Sequence, residues 1–131
     1  MIYIDTSVAL AHLLAEDVRP PGWIWNETLV ASRLLEYELW NRLQAKELSD
    51  HYFEAAKEIV GRTALLELSP PVLSRALEPF PAPVRTLDAL HLASADFLLA
   101  NGQTLQLASY DQRMIAAADA MGIPLVELNG G

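Results

Sequence analysis

Four acidic side chains occupy positions from which carboxylates could share a divalent cation: Asp5, Glu38, Asp88 and Asp111. Mg²⁺ and Mn²⁺ prefer oxygen ligands, and Mg²⁺ usually keeps several of its waters. Clustered carboxylates repel one another, and a bound cation removes most of that repulsion. Such an ion lowers the pKa of a bound water and screens charge that develops on a phosphate. The four acids therefore indicate metal-dependent chemistry at a phosphate.

The elements predicted around these acids alternate between strand and helix. Short β-branched or aromatic runs predict five strands, at residues 1–5, 28–31, 64–68, 104–108 and 124–128. Apolar residues at helical spacing predict helices at residues 8–15, 34–43, 50–62, 87–100 and 111–121, with a short helix beginning at Pro70-Pro71. Strands separated by helices predict an α/β fold, with a central parallel sheet of about five strands and helices on both faces.

Three of the acids fall where an open α/β sheet forms its sites, beyond the carboxyl ends of the strands. Asp5 ends the first strand and Asp111 follows the fourth. Asp88 lies in the first turn of a helix for which Thr86 is the predicted cap. Glu38 lies about a turn and a half into the helix after the second strand. We therefore expect the four carboxylates to converge at one edge of the sheet.

Each acid also has a purely structural interpretation. Asp5 and Asp111 could cap helices, a role that Asp fills well. Asp88 could complement the dipole of its helix, and Glu38 could pair with Arg42 four residues later. Capping is commoner than metal binding for any single acid, so the convergence of all four is the feature that separates the two interpretations.

Four stretches of the chain, in order, resemble the PIN domain and more narrowly the VapC-type toxins of bacterial toxin–antitoxin pairs. They are Ile4-Asp5-Thr6-Ser7, Leu35-Glu36-Tyr37-Glu38-Leu39, Arg85-Thr86-Leu87-Asp88-Ala89-Leu90-His91-Leu92-Ala93 and Ser109-Tyr110-Asp111. The third stretch is the most specific, and the resemblance extends over nearly the whole chain. The resemblance implies a single PIN domain over residues 1–131, folded as a three-layer α/β/α sandwich, and RNA cleavage that depends on Mg²⁺ or Mn²⁺.

The acids of the family map onto Asp5, Glu38, Asp88 and Asp111 as catalytic and metal-binding residues. Glu36 competes with Glu38 for the second position. Two positions on a helix are about 200° apart, so both side chains cannot face one site. Glu38 follows Leu35 by three residues and shares its face, which favours Glu38.

Five further residues are candidates for supporting roles: Arg85, Arg113, Ser7, Ser109 and His91. Arg85 and Arg113 flank two of the acids and could bind RNA phosphate, although ordinary surface charge is the alternative. Ser7 and Ser109 could donate to metal-bound waters, or could cap a helix and form a turn. His91 is one helical turn from Asp88 and could bond to it. A packing or supporting role is favoured over a general base for this histidine.

The composition constrains the partners and the compartment. The formal net charge of −8 is unusual for a protein that binds nucleic acid, but part of it belongs to the acidic site and the rest suits a basic protein partner. The family resemblance implies a homodimer and a cognate antitoxin that blocks the site. Cysteine is absent, and neither a targeting segment nor a membrane-spanning run is visible, which favours a cytoplasmic protein without a membrane partner.

Two other classes of function compete with a ribonuclease. A catalytically silent PIN-like module would act through protein contacts alone, and the intact acids argue against it. A phosphoryl-accepting receiver domain needs a lysine near the later strands, whereas Lys46 and Lys57 are the only lysines. Trp23-Ile24-Trp25 matches no motif of the family. The segment could form an interface, but core packing is its favoured interpretation.

Overall fold

A computed structural model describes residues 1–14 and 18–128 of the chain. Its strands are β1 Ile2–Ile4, β2 Leu29–Ser32, β3 Thr63–Leu66 and β4 Gln106–Ala108. Its helices are α1 Thr6–Leu14, α2 Leu34–Ala45, α3 Ser49–Arg62, α4 Pro70–Leu77, α5 Thr86–Ala100 and α6 Gln112–Ala120, with a 3₁₀ helix at Gly22–Asn26. Ala15, the predicted last residue of the first helix, lies outside the described residues.

The four strands form one parallel sheet in the order β3-β2-β1-β4. β1 is central because its β-branched and aromatic residues are buried on both faces, as parallel strands require. Ile2 and Ile4 point to one face of the sheet and Tyr3 to the other. The strand therefore delivers Asp5, the next residue, to the carboxyl edge of the sheet.

Helices cover both faces of this sheet and form two apolar layers. The first layer joins Ile2 and Ile4 to buried residues of α1, α2 and α3. The second joins Tyr3 to Leu92 of α5 and to Met114 of α6. Helix α4 packs against α5. The prediction of an α/β fold with helices on both sides of a parallel sheet is confirmed.

The sheet has four strands in the described residues, one fewer than predicted, because residues 124–128 form only an isolated bridge between Leu125 and Leu107. The Leu107 N–H donates to the Pro124 carbonyl, and the Val126 N–H donates back to Leu107. Pro124 has no N–H, so the ladder does not continue on the amino-terminal side of this bridge.

Two local predictions about helices were wrong. Thr86 is the first residue of α5 rather than its cap, because Arg85 takes the extended cap conformation and accepts the first helical bond from Ala89. The apolar spacing of Phe53, Ala56 and Val60 in α3 predicts a buried stripe that includes Phe53, yet this side chain is 47% exposed and lies beside Trp40. The buried positions of that helix include Ala56 and Ile59.

The segment with two tryptophans contributes to the core in part. Ile24 is buried and Trp25 packs against the first apolar layer, whereas Trp23 is 45% exposed. In residues 1–14 and 18–128 no helix is long and apolar enough to cross a membrane.

Candidate active site

A cavity of about 700 Å³ opens at the carboxyl edge of the sheet, where β1 and β4 end beside α1, α2 and α5. All four predicted acids line it: Asp5, Glu38, Asp88 and Asp111. Glu36 is absent from its lining, as the helical geometry of α2 predicts. The structure therefore brings together residues that lie up to 106 positions apart in the chain, from 5 to 111.

Asp5 is buried and held by hydrogen bonds to both carboxylate oxygens. The Ser7 hydroxyl donates to Oδ1 at 2.5 Å, and the Ser109 hydroxyl donates to Oδ2 at 2.5 Å. The Val8 N–H makes a longer contact of 3.4 Å with Oδ1, so helix capping is a minor part of the role of Asp5. Burial raises the pKa of Asp5, and the bonds from Ser109 and Ser7 oppose that rise.

Ser7 and Ser109 also tie Asp5 to the turn that carries Asp111. The Asp111 N–H donates to Ser109 Oγ at 2.9 Å, and the Tyr110 N–H donates to Ser7 Oγ at 2.9 Å. Asp111 Oδ1 accepts from the Arg113 and Met114 N–H groups, so Asp111 does cap α6. Its Oδ2 accepts no hydrogen bond from the described residues. Capping and lining the cavity are thus compatible, each using a different oxygen.

Asp88 stands in the first turn of α5, facing the other acids across the cavity. Burial raises the pKa of Asp88 most, and the negative charge of Asp111 adds to the rise. A bond from the Arg85 backbone opposes it, and Glu38 contributes a smaller repulsion. A carboxylate in the first turn is ordinarily stabilised by the helix dipole; here burial, with crowding of like charges as the second cause, outweighs that effect and raises the pKa of Asp88.

Glu38 is positioned by His91 rather than by Arg42. His91 Nε2 lies 2.6 Å from Glu38 Oε1, and His91 Nδ1 lies 2.8 Å from the Tyr3 hydroxyl. Both ring nitrogens are therefore engaged, and the expectation that His91 bonds Asp88 is wrong. The sequence offered no signal for this contact, because Glu38 and His91 are separated by 53 positions and lie in opposite layers.

Basic side chains line the cavity beside the acids. Arg85 does so, as predicted, whereas Arg113 is absent from the lining. Arg42 and Lys46 line it as well, and sequence reasoning missed them in this role. They follow Glu38 at intervals of four along α2, the spacing that places side chains on one face of a helix, so that signal was available. Neither forms an ion pair with a described residue.

The donor set fits a hard divalent cation held largely through waters. Carboxylate oxygens are the ligands that Mg²⁺ and Mn²⁺ prefer, and Asp88 and Asp111 already raise each other's energy through repulsion. Within residues 1–14 and 18–128 no three Asp, Glu or His side chains form a cluster ready to hold a metal. An ion bound through one or two carboxylates and several waters needs no such cluster.

Comparison with known proteins identifies the family. The PIN domain profile matches residues 2–121. The chain belongs to the PIN domain family. It is 31% identical to Ribonuclease VapC35 of Mycobacterium tuberculosis, over 96% of each chain, and 29% identical to Ribonuclease VapC47 of the same species, over 93% of each. The resemblance to the VapC-type group is thereby confirmed.

A solved structure agrees on the fold. A chain of the "Toxin-antitoxin complex from Klebsiella pneumoniae" superposes with a TM-score of 0.59 at 14% identity, and the match covers 97% of both chains. The PIN fold therefore accounts for the sheet and for the two helical layers around it. The match spans the segments that carry all four cavity acids of this PIN protein.

Proposed function

We propose that this PIN protein is a metal-dependent endoribonuclease, the toxin of a bacterial type II toxin–antitoxin system. The observation that carries the proposal is the convergence of Asp5, Glu38, Asp88 and Asp111 on one cavity. The repulsion that Asp111 and Glu38 exert on Asp88 supports a site built for a cation. The ribonuclease relatives named above support RNA as the substrate.

One or two of the four carboxylates would bind Mg²⁺, or Mn²⁺ in its place, directly, and the others would contact waters of the ion. A divalent cation there supplies Lewis-acid chemistry at a phosphodiester and activation of water near neutral pH. Ser7 and Ser109 keep Asp5 in place through their hydroxyls, and their bonds to the backbone of Tyr110 and Asp111 keep the turn beside it. Hydrolysis in line would leave a 5′-phosphate and a 3′-hydroxyl.

Basic side chains that line the cavity would bind the RNA backbone. Arg85 lines the cavity next to Asp88, and Arg42 and Lys46 continue from Glu38 along α2. An arginine fork suits phosphate oxygens, and a lysine adds a point charge. Arg113 is a candidate for RNA that extends past the cavity.

The partners follow from the same resemblance. A cognate antitoxin would cover the cavity, and a basic antitoxin segment would complement the net charge of −8. The Klebsiella pneumoniae structure, a toxin–antitoxin complex, supports a partner of this kind. We further propose a homodimer that acts in the cytoplasm, where cellular RNA is available.

The test is cleavage of single-stranded and structured RNA by the purified chain, in Mg²⁺, in Mn²⁺ and in EDTA. Glu38→Gln and Asp88→Asn should each lower the rate about 100-fold or more, since a metal supplies several kcal/mol of transition-state stabilisation. Glu36→Gln and Asp119→Asn are matched controls, because both residues are acids outside the cavity lining. These two variants should cleave within about 3-fold of the unmodified chain.

Two outcomes would overturn the proposal. Equal rates for Glu38→Gln and Glu36→Gln would remove the acids of the cavity from the reaction. Lack of cleavage, together with lack of Mn²⁺ binding in calorimetry, would favour a silent PIN module that acts through protein contacts. The ends of the products, read by their ability to be ligated, check the direction of hydrolysis.

A further inference from the structure

A line of buried hydrogen bonds runs from the central strand to the cavity, through Tyr3, His91 and Glu38. Tyr3 is fully buried on β1, and His91 is 2% exposed on α5. Both belong to the layer of α5 and α6, whereas Glu38 comes from α2 in the other layer. The His91–Glu38 bond therefore joins the two helical layers across the carboxyl edge of the sheet.

We propose that Tyr3 and His91 are positioning residues that fix the rotamer of Glu38 so that its second oxygen faces the cation. The proposal rests on the proposed function, because it assigns Glu38 a metal-binding role. His91 engages only Oε1, and Oε2 accepts no hydrogen bond from the described residues. Arg42, the neighbour four residues along α2, forms no ion pair with Glu38.

The hydrogen-bonding capacities assign the protons along this line. An ionised carboxylate only accepts, so His91 Nε2 carries a proton and donates it to Glu38. The Tyr3 oxygen accepts the Ser32 N–H at 3.1 Å, and its own proton is available to Nδ1 of the neutral ring. When the ring is neutral, these two bonds correspond to the Nε2–H tautomer, with Nδ1 accepting from Tyr3.

Packing alone does not require this arrangement. A buried hydroxyl and a buried imidazole are costly to desolvate unless each is hydrogen-bonded, and apolar side chains of similar size would fill the same space. The network instead ends at a carboxylate of which the side chain is 13% exposed and which lines the cavity. Ligands of metals in proteins are commonly oriented by partners of this kind, and loss of such a partner weakens binding about 10- to 100-fold.

A first experiment reads the tautomer directly, without any reaction. Nitrogen-15 NMR of the full-length chain in EDTA should show protonated Nε2 on His91. Tyr3→Phe should increase the fraction of the Nδ1–H tautomer, since Nδ1 loses its donor. Tyr52→Phe is the matched control, because Tyr52 is a partly buried tyrosine outside the cavity, and it should leave the His91 signals unchanged. An unprotonated Nε2 on His91 in the unmodified chain would overturn the proposal.

A second experiment separates positioning from packing by two substitutions at one position. The amide nitrogen of His91→Gln can replace Nε2, whereas the amide of His91→Asn can replace only Nδ1. Calorimetry with Mn²⁺ should give affinity about 10-fold weaker for the Asn variant, and a smaller loss for the Gln variant and for Tyr3→Phe. Tyr3→Phe keeps the volume of the core, so it tests the hydrogen bonds from Tyr3 through His91 to Glu38 even if the His91 variants fold poorly.

The outcomes distinguish this proposal from the proposed function. If the unmodified chain binds no Mn²⁺, both the metal-dependent function and the positioning of Glu38 for a cation are wrong. If it binds Mn²⁺ and all three variants bind equally well, the positioning role alone is wrong. If His91→Gln and His91→Asn weaken Mn²⁺ binding equally, and Tyr3→Phe leaves the His91 tautomer unchanged, then Tyr3 and His91 serve packing alone. That result would likewise contradict the proposal.

Discussion

The charged side chains on the two walls of the cavity differ in the partners that stabilise them. The strand wall consists of Asp5 and Asp111 with the serines that hold them, Ser7 and Ser109. The helix wall consists of side chains from α2 and from the start of α5: Glu38, Arg42, Lys46, Arg85 and Asp88. On the strand wall the carboxylates accept hydrogen bonds from hydroxyl and backbone donors. On the helix wall burial and the charge of Asp111 raise the pKa of Asp88, and the three cations lack a described ion-pair partner.

The two walls differ in how far hydrogen bonds within the folded chain stabilise their charges. Asp5 and Asp111 accept bonds from hydroxyl and backbone donors within a few residues of each strand end. On the helix wall His91 holds Glu38, but Asp88 is repelled by Asp111 and the cations have no described ion-pair partner. A ligand between the walls would compensate these remaining charges. Substitutions on the strand wall should therefore appear mainly in folding stability, and those on the helix wall mainly in binding.

The largest effect on stability is expected from Ser109→Ala. This change removes the donor to Asp5 Oδ2 and the acceptor of the Asp111 N–H, in a place where Ser109 and Asp5 are about 5% exposed or less. Leaving Asp5 Oδ2 and the Asp111 N–H without these hydrogen bonds should lower the free energy of unfolding by about 2–4 kcal/mol. Urea unfolding measures this free energy. Ser74→Ala, on the exposed side of α4, should change it by less than about 0.5 kcal/mol.

If Ser109→Ala lowers the free energy of unfolding by less than about 1 kcal/mol, the stability of the strand wall does not depend on its hydroxyls. That result would contradict the difference between the two walls. Ser7→Ala sharpens the result. The Val8 N–H still approaches Asp5 Oδ1 when the Ser7 hydroxyl is gone. The Ser7 variant should accordingly lose less stability than the Ser109 variant.

The next effect concerns RNA binding by the helix wall. Arg42→Ala and Lys46→Ala should each weaken binding of single-stranded RNA several-fold and lower the slope of log K against log salt by about 0.7, because each removes one phosphate contact. Fluorescence anisotropy in EDTA measures binding without cleavage. Lys57→Ala, which removes an equal charge from α3 outside the cavity, should leave the slope unchanged. Equal slopes for all three variants would assign the effect to net charge.

The strand wall was largely predictable from the sequence. Asp5 and Asp111 follow short apolar strands, and parallel strands end at a common edge, so their convergence follows from topology. Ser7 and Ser109 lie two residues from these acids, within reach of local hydrogen bonds. The predicted fold class rests on the same alternation of strand and helix. A run of apolar residues at 124–128 does not reveal that this segment pairs with the sheet through a single bridge.

The helix wall was predictable only in part, because its contacts are set by how helices in different layers approach each other. The choice of Glu38 over Glu36 follows from helical spacing. The hydrogen-bond partner of His91 does not follow from helical spacing. Spacing points to Asp88, one turn away along α5, whereas the observed partner, Glu38, lies on another helix. Arg113 illustrates the same limit, because its closeness to Asp111 in the chain does not place it in the cavity lining.

The smallest effect is a gain in stability. Asp88 has a raised pKa in the folded chain, so its ionised form costs stability at neutral pH. Asp88→Asn should raise the Tm of the metal-free chain by a few degrees at pH 7 while it weakens Mn²⁺ binding. Asp50→Asn is the matched control, because Asp50 also lies in a first turn, that of α3, but is exposed. It should lower the Tm slightly, as loss of a helix-dipole interaction does.

The pH dependence of that gain tests its cause. A group with a raised folded pKa gives stability that is present below its unfolded pKa and lost as the pH rises through the folded pKa. The Tm difference between Asp88→Asn and the unmodified chain should therefore be largest at neutral pH and shrink as Asp88 takes up its proton in acid. A constant difference across that range would mean that packing, not charge, causes the gain. Saturating Mn²⁺ should reverse its sign at pH 7, because the cation stabilises the unmodified chain more.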